Sequence, residues 1–75
     1  MQVKMPQLRP QMESGLLVAW LKNPGDQVEQ GEPLYEIESD KVVSQIASDF
    51  SGTLTQVLAE EGDEVQVDQV LATIE

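Results

Sequence analysis

The 75-residue sequence contains no cysteine and no histidine. Without thiols, no disulfide can brace so short a chain and no thiolate can hold a metal. Without imidazole, the usual general base near neutral pH and the commonest metal ligand are both missing. Basic residues are scarce: four Lys and Arg stand against fourteen Asp and Glu, a formal net charge of −10. A surface this acidic repels phosphate backbones and anionic lipid, so neither nucleic acid nor membrane is an expected partner. No apolar run approaches the roughly 18 residues of a membrane-spanning helix, and no charged-then-apolar leader opens the chain. Secretion is therefore not expected. What remains is a chain that is 40% hydrophobic, ordinary for a globular domain. Its expected radius of gyration is about 11 Å, which leaves no room for a two-domain cleft.

The sequence repeats itself. Shifted by 37 residues, SGLLVAWLKNPGDQVEQGEPLYEIE (14–38) aligns without a gap on SGTLTQVLAEEGDEVQVDQVLATIE (51–75), with ten of 25 positions identical. Two units are too few for a solenoid, so they are read as two halves of one core related by a pseudo-two-fold axis. Each unit has short Val/Leu/Ile/Thr runs between Gly, Pro and Asp turns, the pattern of strands. Strands are expected near 3–7, 15–21, 33–38, 42–47, 52–58 and 70–75, with short extended pieces near 27–29 and 64–67. The fold class is all-β, a sandwich or flattened barrel of two antiparallel sheets. Positions apolar in both units nominate the core: 17/54, 20/57, 21/58, 28/65, 34/71, 35/72 and 37/74. Positions 17, 20 and 21 do not share a parity, so a β-bulge is expected near 18–19. Asn23-Pro24-Gly25-Asp26 reads as a type II turn, with Gly62 in the matching place. Asp68, which tolerates the left-handed region, stands opposite Gly31. Extended to the ends, the alignment matches Lys41 with Lys4 and Glu38 with Glu75. Lys4 is then expected near Glu75, with the chain ends meeting at the pole opposite Lys41.

Among the four basic residues, Lys41 is singular. It lies in Ser39-Asp40-Lys41, between two alternating strands, where a short loop makes a hairpin. It projects from the tip among Glu36, Glu38 and Asp40. Glu36 and Glu38 share a strand face and satisfy the residue types of a paired-carboxylate hydrolase. On a solvated hairpin, however, neither has a means of raising its pKa. The carboxylates Glu60, Glu61, Asp63 and Glu64 lack the alternation of a calcium loop and read as a solvated turn.

These motifs carry a resemblance. Met5-Pro6, Met12-Glu13-Ser14-Gly15, Val18-Ala19-Trp20-Leu21-Lys22, Gly25-Asp26-Gln27-Val28, Gly31-Glu32-Pro33-Leu34 and above all Glu36-Ile37-Glu38-Ser39-Asp40-Lys41 resemble the lipoyl domains of acyltransferases from 2-oxo acid dehydrogenase complexes. The likeness runs on through Ser51-Gly52 and Glu61-Gly62-Asp63 to Ile74. It implies that residues 1–75 form one carrier domain of a longer multidomain chain, and that the isolated domain is monomeric and not itself catalytic. It implies lipoate in amide linkage on Lys41, with Glu38, Ser39, Asp40 and Val42 as the flank that partners recognise. It also implies those partners: a lipoate ligase or lipoyl transferase, a thiamine-diphosphate-dependent decarboxylase, the acyltransferase core and dihydrolipoamide dehydrogenase. Amide formation removes one positive charge, taking the chain from −10 to −11. Three residues depart from the pattern. Val42 stands where many relatives have alanine. Arg9 and Gln11 stand where serine and threonine are familiar, in a loop thought to help a decarboxylase recognise its own domain. The parent complex, and hence the 2-oxo acid served, stays open.

A biotin carrier shares the fold and the hairpin lysine, but its lysine usually sits between methionines, whereas here the neighbours are Asp40 and Val42. A phosphopantetheine carrier needs a serine at a helix start, and no helix is expected. An unmodified interaction module is the other alternative. The compartment expected is the bacterial cytoplasm ahead of the mitochondrial matrix.

Overall fold

The computed structural model describes residues 1–75. Eight strands follow one another: β1 Gln2–Lys4, β2 Ser14–Trp20, β3 Gln27–Val28, β4 Pro33–Ser39, β5 Val42–Ala47, β6 Gly52–Val57, β7 Glu64–Gln66 and β8 Val70–Ile74. They form two four-stranded sheets, ordered β1-β8-β6-β3 and β5-β4-β2-β7, with every pairing antiparallel. The radius of gyration is 11.4 Å.

The pairings obey the 37-residue repeat. Leu17 faces Ile37 as Leu54 faces Ile74, and Trp20 faces Tyr35 as Val57 faces Ala72. Gly15 faces Val65 as Gly52 faces Val28. The expected bulge is present twice, between Leu17 and Ala19 and between Leu54 and Gln56. On the opposite edge of each bulged strand, the turn before the short neighbouring strand prolongs the ladder by one pair. Gly62 N donates to Leu17 O at 2.8 Å, and Leu17 N donates to Asp63 O at 2.9 Å. In the other half, Gly25 N donates to Leu54 O at 2.7 Å, and Leu54 N donates to Asp26 O at 2.9 Å. Both turns need a glycine, since φ is +97° at Gly25 and +96° at Gly62. The same aspartates brace them: Asp26 Oδ2 accepts from Asn23 N at 2.8 Å, and Asp63 Oδ2 accepts from Glu60 N at 2.9 Å. Gly31 and Asp68 also match, with φ of +87° and +71°.

The core fills from both sheets. Leu17, Val28, Leu34, Tyr35, Ile37, Leu54, Val65, Leu71, Ala72 and Ile74 are buried, and Met5, Met12 and Ala59 join them from outside the paired positions. Each fully buried Leu or Ile contributes roughly 1.5–3 kcal/mol. Trp20 is half-buried and packs on Tyr35 at 5.2 Å between ring centroids, while its Nε1 donates to Ala59 O at 2.9 Å.

Two expectations fail. Leu21 and Leu58 are not core; they are 40% and 48% exposed. A bulge changes parity once, so it brings positions 17 and 20 to one face and must send 21 to the other. The match of Lys4 with Lys41 also fails. β1 pairs with β8 through Gln2↔Thr73, Val3↔Ala72 and Lys4↔Val70, while β5 pairs with β4 through Gln45↔Glu36, Ile46↔Tyr35 and Ala47↔Pro33. The two-fold mate of Lys4 is therefore Ala47. Lys4 lies five residues short of Glu75 along the ladder, about 17 Å at the strand rise. The symmetry holds on this corrected correspondence. It carries the β4–β5 turn onto the gap between the chain ends, so turn and ends lie on opposite sides of the axis. The ends do meet, with Met1 N donating to Ile74 O at 2.6 Å and Ile74 N to Met1 O at 2.8 Å.

Candidate functional site

Ser39 and Val42 are the last paired residues of β4 and β5, so the loop between them is Asp40-Lys41 alone. Both are left-handed, with φ of +52° and +66°. Two consecutive left-handed residues make the type I′ turn whose twist matches the flanking strands. Such turns ordinarily carry Asn-Gly or Asp-Gly, because a side chain in this region costs roughly 1–2 kcal/mol. Asp40 suits the first position. Lys41 occupies the second, where glycine is favoured. A strained non-glycine residue held at a tip is a mark of function, because the fold itself gains nothing from it.

Lys41 is exposed, and no hydrogen bond or ion pair engages its Nζ. Lys22, by contrast, pairs with Glu32 at 3.2 Å. Glu32 is half-buried, and the Glu29 amide together with Lys22 lowers its pKa from the ordinary carboxylate value. Lys4 is exposed on the edge strand β1. The turn thus offers one free primary amine on a rigid mount.

The hairpin gathers the residues expected to flank the lysine. Glu38, paired with Val43, is half-buried. Ser39 is half-buried, and its carbonyl accepts from Arg9 Nη1 at 3.0 Å. Asp40 is exposed and lies 3.6 Å from the same guanidinium. Val42 and Val43 are each half exposed and leave an apolar step beside the amine. No motif or spacing signals that Arg9, thirty residues away, reaches the turn, and Val43 reads as an ordinary strand residue. Glu36 and Glu38 sit on the hairpin, with Gln45 Nε2 donating to Glu36 at 3.4 Å. A polar hollow of about 400 Å3 separates the 9–14 loop from the turn. A larger one, about 660 Å3, lies over Tyr35 between β1 and β5, away from the lysine.

Comparison with known proteins agrees with this geometry. The profile of the biotin/lipoyl family, described as "Biotin-requiring enzyme", matches residues 1–74. The dihydrolipoyllysine-residue succinyltransferase component of the Bacillus subtilis 2-oxoglutarate dehydrogenase complex is 45% identical over 73 residues, 97% of this chain and 18% of that protein. The dihydrolipoyllysine-residue acetyltransferase component of the pyruvate dehydrogenase complex of Corynebacterium glutamicum is 44% identical over 72 residues, 96% of this chain and 11% of that protein. The chain thus spans less than a fifth of these relatives. The lipoyl domain of the Azotobacter vinelandii 2-oxoglutarate dehydrogenase complex superposes with a TM-score of 0.80 at 28% identity, covering all of this chain and 95% of that one. Kluyveromyces lactis urea carboxylase shares the fold at a TM-score of 0.66 and 23% identity, over 7% of its length.

Proposed function

The chain belongs to the biotin/lipoyl family of attachment domains, and from that premise we propose that it is a swinging-arm carrier with lipoate in amide linkage on Lys41. The observation that carries the reading is the strained tip: an unengaged lysine at a turn position that favours glycine. The residues fit the group. The amine is exposed, and the chain has no cysteine to exchange with a dithiolane. Asp40 and Val42 flank the lysine, not the methionines usual beside biotin. The relatives named for dihydrolipoyllysine support lipoate over biotin.

When bound, lipoate supplies a ring disulfide that takes up an acyl group and two electrons. This chain's residues do the rest by position. The hairpin holds the attachment atom at one pole, and the lysine stem adds four methylenes of reach. The chain ends lie across the axis, so linkers leave from the far side. The acidic surface steers the domain toward basic entrances on its enzymes. Proposed partners are a lipoate ligase or lipoyl transferase, a thiamine-diphosphate-dependent decarboxylase, an acyltransferase core and dihydrolipoamide dehydrogenase. The domain is read as one part of a longer acyltransferase chain, in the bacterial cytoplasm ahead of the mitochondrial matrix.

The test is intact mass and peptide mapping after incubation with lipoate, ATP and a lipoate ligase. One lipoyl group on Lys41 is expected, none on Lys41→Ala, and no modification by a biotin ligase. Lipoate on Lys4 or Lys22, or efficient biotinylation of the unmutated chain, would overturn the reading.

A further inference from the structure

The 9–14 loop is built more stiffly than its position between β1 and β2 requires. Arg9-Pro10-Gln11-Met12 closes a tight turn, with Met12 N donating to Arg9 O at 3.2 Å. Proline at the second position and a left-handed residue at the third, Gln11 at φ +68°, are the marks of a type II turn. Met12 then anchors the turn in the core, while Gln7 Nε2 donates to Met12 O at 3.3 Å. The base of the Arg9 side chain is therefore fixed before its guanidinium meets anything.

That guanidinium spans the polar hollow to the hairpin. Nη1 donates to Ser39 O at 3.0 Å and lies 3.6 Å from Asp40 Oδ2. Its side chain is two-thirds covered, whereas that of Asp40 is 84% exposed, so the ion pair is solvated and the grip rests on the part-buried bond to the Ser39 carbonyl. The residue it grips immediately precedes two consecutive left-handed non-glycine residues, the segment of the hairpin with most to gain by relaxing. β5 is an edge strand, so nothing on its outer side restrains the tip. Arg9 is the sole side chain outside the hairpin that hydrogen-bonds it at the turn. A rigid planar fork on a fixed stem loses little freedom in making such a contact.

We propose that Arg9 is a positioning residue, a strut from the 9–14 loop that holds the Asp40–Lys41 turn in the conformation from which Lys41 is modified. Its kinetic consequence rests on Lys41 being the modified lysine; its structural consequence does not. If the turn relaxes among conformers when the strut is removed, the binding-competent fraction falls and the apparent affinity of the modifying enzyme falls with it.

The experiment compares the unmodified chain with Arg9→Gln and Arg9→Lys, using 15N relaxation and steady-state lipoylation. In Arg9→Gln the Lys41 amide order parameter is expected to drop from the rigid range near 0.85 toward 0.6. KM for the domain as ligase substrate is expected to rise about threefold, with kcat little changed. Arg9→Lys, which can still reach one acceptor, should recover most of both. The melting temperature separates loss of the strut from loss of the fold. A KM that rises while the order parameter stays high would make Arg9 a direct contact of the ligase and overturn the strut. An order parameter that falls with KM unchanged would show that the held conformation is not the one used. No change in either overturns the proposal outright.

Discussion

The two poles of the molecule are built on the same ladder and finished differently. At one, β4 passes through Asp40 and Lys41 into β5. At the other, β8 ends at Ile74 and β1 closes against it with no covalent turn, held by paired backbone bonds between Met1 and Ile74. The second pole shows that the edge strand pairs without a turn. The strain at the first is therefore not the cost of closing a sheet. Under the proposed function it is carried because a side chain is needed there, and Lys41 is the one at the position that glycine would fill.

The comparison can be broken most forcefully at the turns the halves share. Gly25→Val and Gly62→Val each place a β-branched residue at φ near +97°, and a Cβ at either site meets nothing within 4 Å. The penalty is then backbone strain alone, on the order of 1–3 kcal/mol. The two variants should melt lower by similar amounts, roughly 4–8 °C per kcal/mol for a domain of this size. Pro24→Ala should cost less than either. Glu61→Ala should fall between, since its carboxylate accepts from Trp20 N at 2.8 Å. Equal melting temperatures for all four would contradict the turn assignment, and a large gap between the two glycine variants would break the equivalence of the halves.

A change at the odd pole sharpens the contrast in the opposite direction. Lys41→Gly should abolish modification and yet stabilise the domain by about 1 kcal/mol, because glycine is at ease in the second position of a type I′ turn. Lys41→Ala should abolish modification without that gain. Thermal melts that rank glycine no higher than alanine would remove the argument from strain.

The smallest expected effect concerns Tyr35, where the halves differ in volume, since its mate is Ala72. The Tyr35 hydroxyl is buried with no protein partner, and burial, aided by the charge of Asp49, pushes its pKa above the ordinary value near 10. A group whose folded pKa is raised lends stability below its unfolded pKa and withdraws it as pH climbs. Stability should hold at neutral pH and fall as pH rises past about 10. Tyr35→Phe should flatten that limb, and at pH 7 it should be neutral or slightly stabilising, since an unpartnered hydroxyl is removed. Denaturant midpoints measured between pH 7 and 11 decide this; a parallel fall in both proteins counts against a buried titrating phenol.

Much of this architecture is legible in the letters because the repeat doubles every local signal. Gly25 alone suggests a turn; Gly25 with Gly62 fixes one. A parity clash at 17 and 20 suggests a bulge, and the same clash at 54 and 57 demands it. Where the repeat ends, so does the inference. Met12 and Ala59 stand opposite Asp49 and Lys22 and so escape the core filter, and Met5 lies in the stretch where the gapless shift no longer holds. Lys4 seemed to match Lys41 because a gapless shift was carried past the turn. The second half has no turn there, and only the pairing of β1 with β8 reveals the offset. The site divides in the same way. Lys41 and its neighbours are contiguous and readable as a hairpin. The arginine that grips them arrives through space, and no spacing rule announces it.

The bonds between Met1 and Ile74 also set how the domain responds to being pulled. In an antiparallel pair whose free ends lie together, tension applied through residues 1 and 75 loads one rung at a time. At the C-terminal side Glu75 is held by two bonds to Thr53, and at the N-terminal side Met1–Ile74 opens before Gln2–Thr73, so β1 unzips from β8 rung by rung. Set within the longer chain proposed above, a domain whose ends meet would add almost nothing to the contour of that chain. It would hang from the line as a pendant, with little torque reaching the hairpin on the far side.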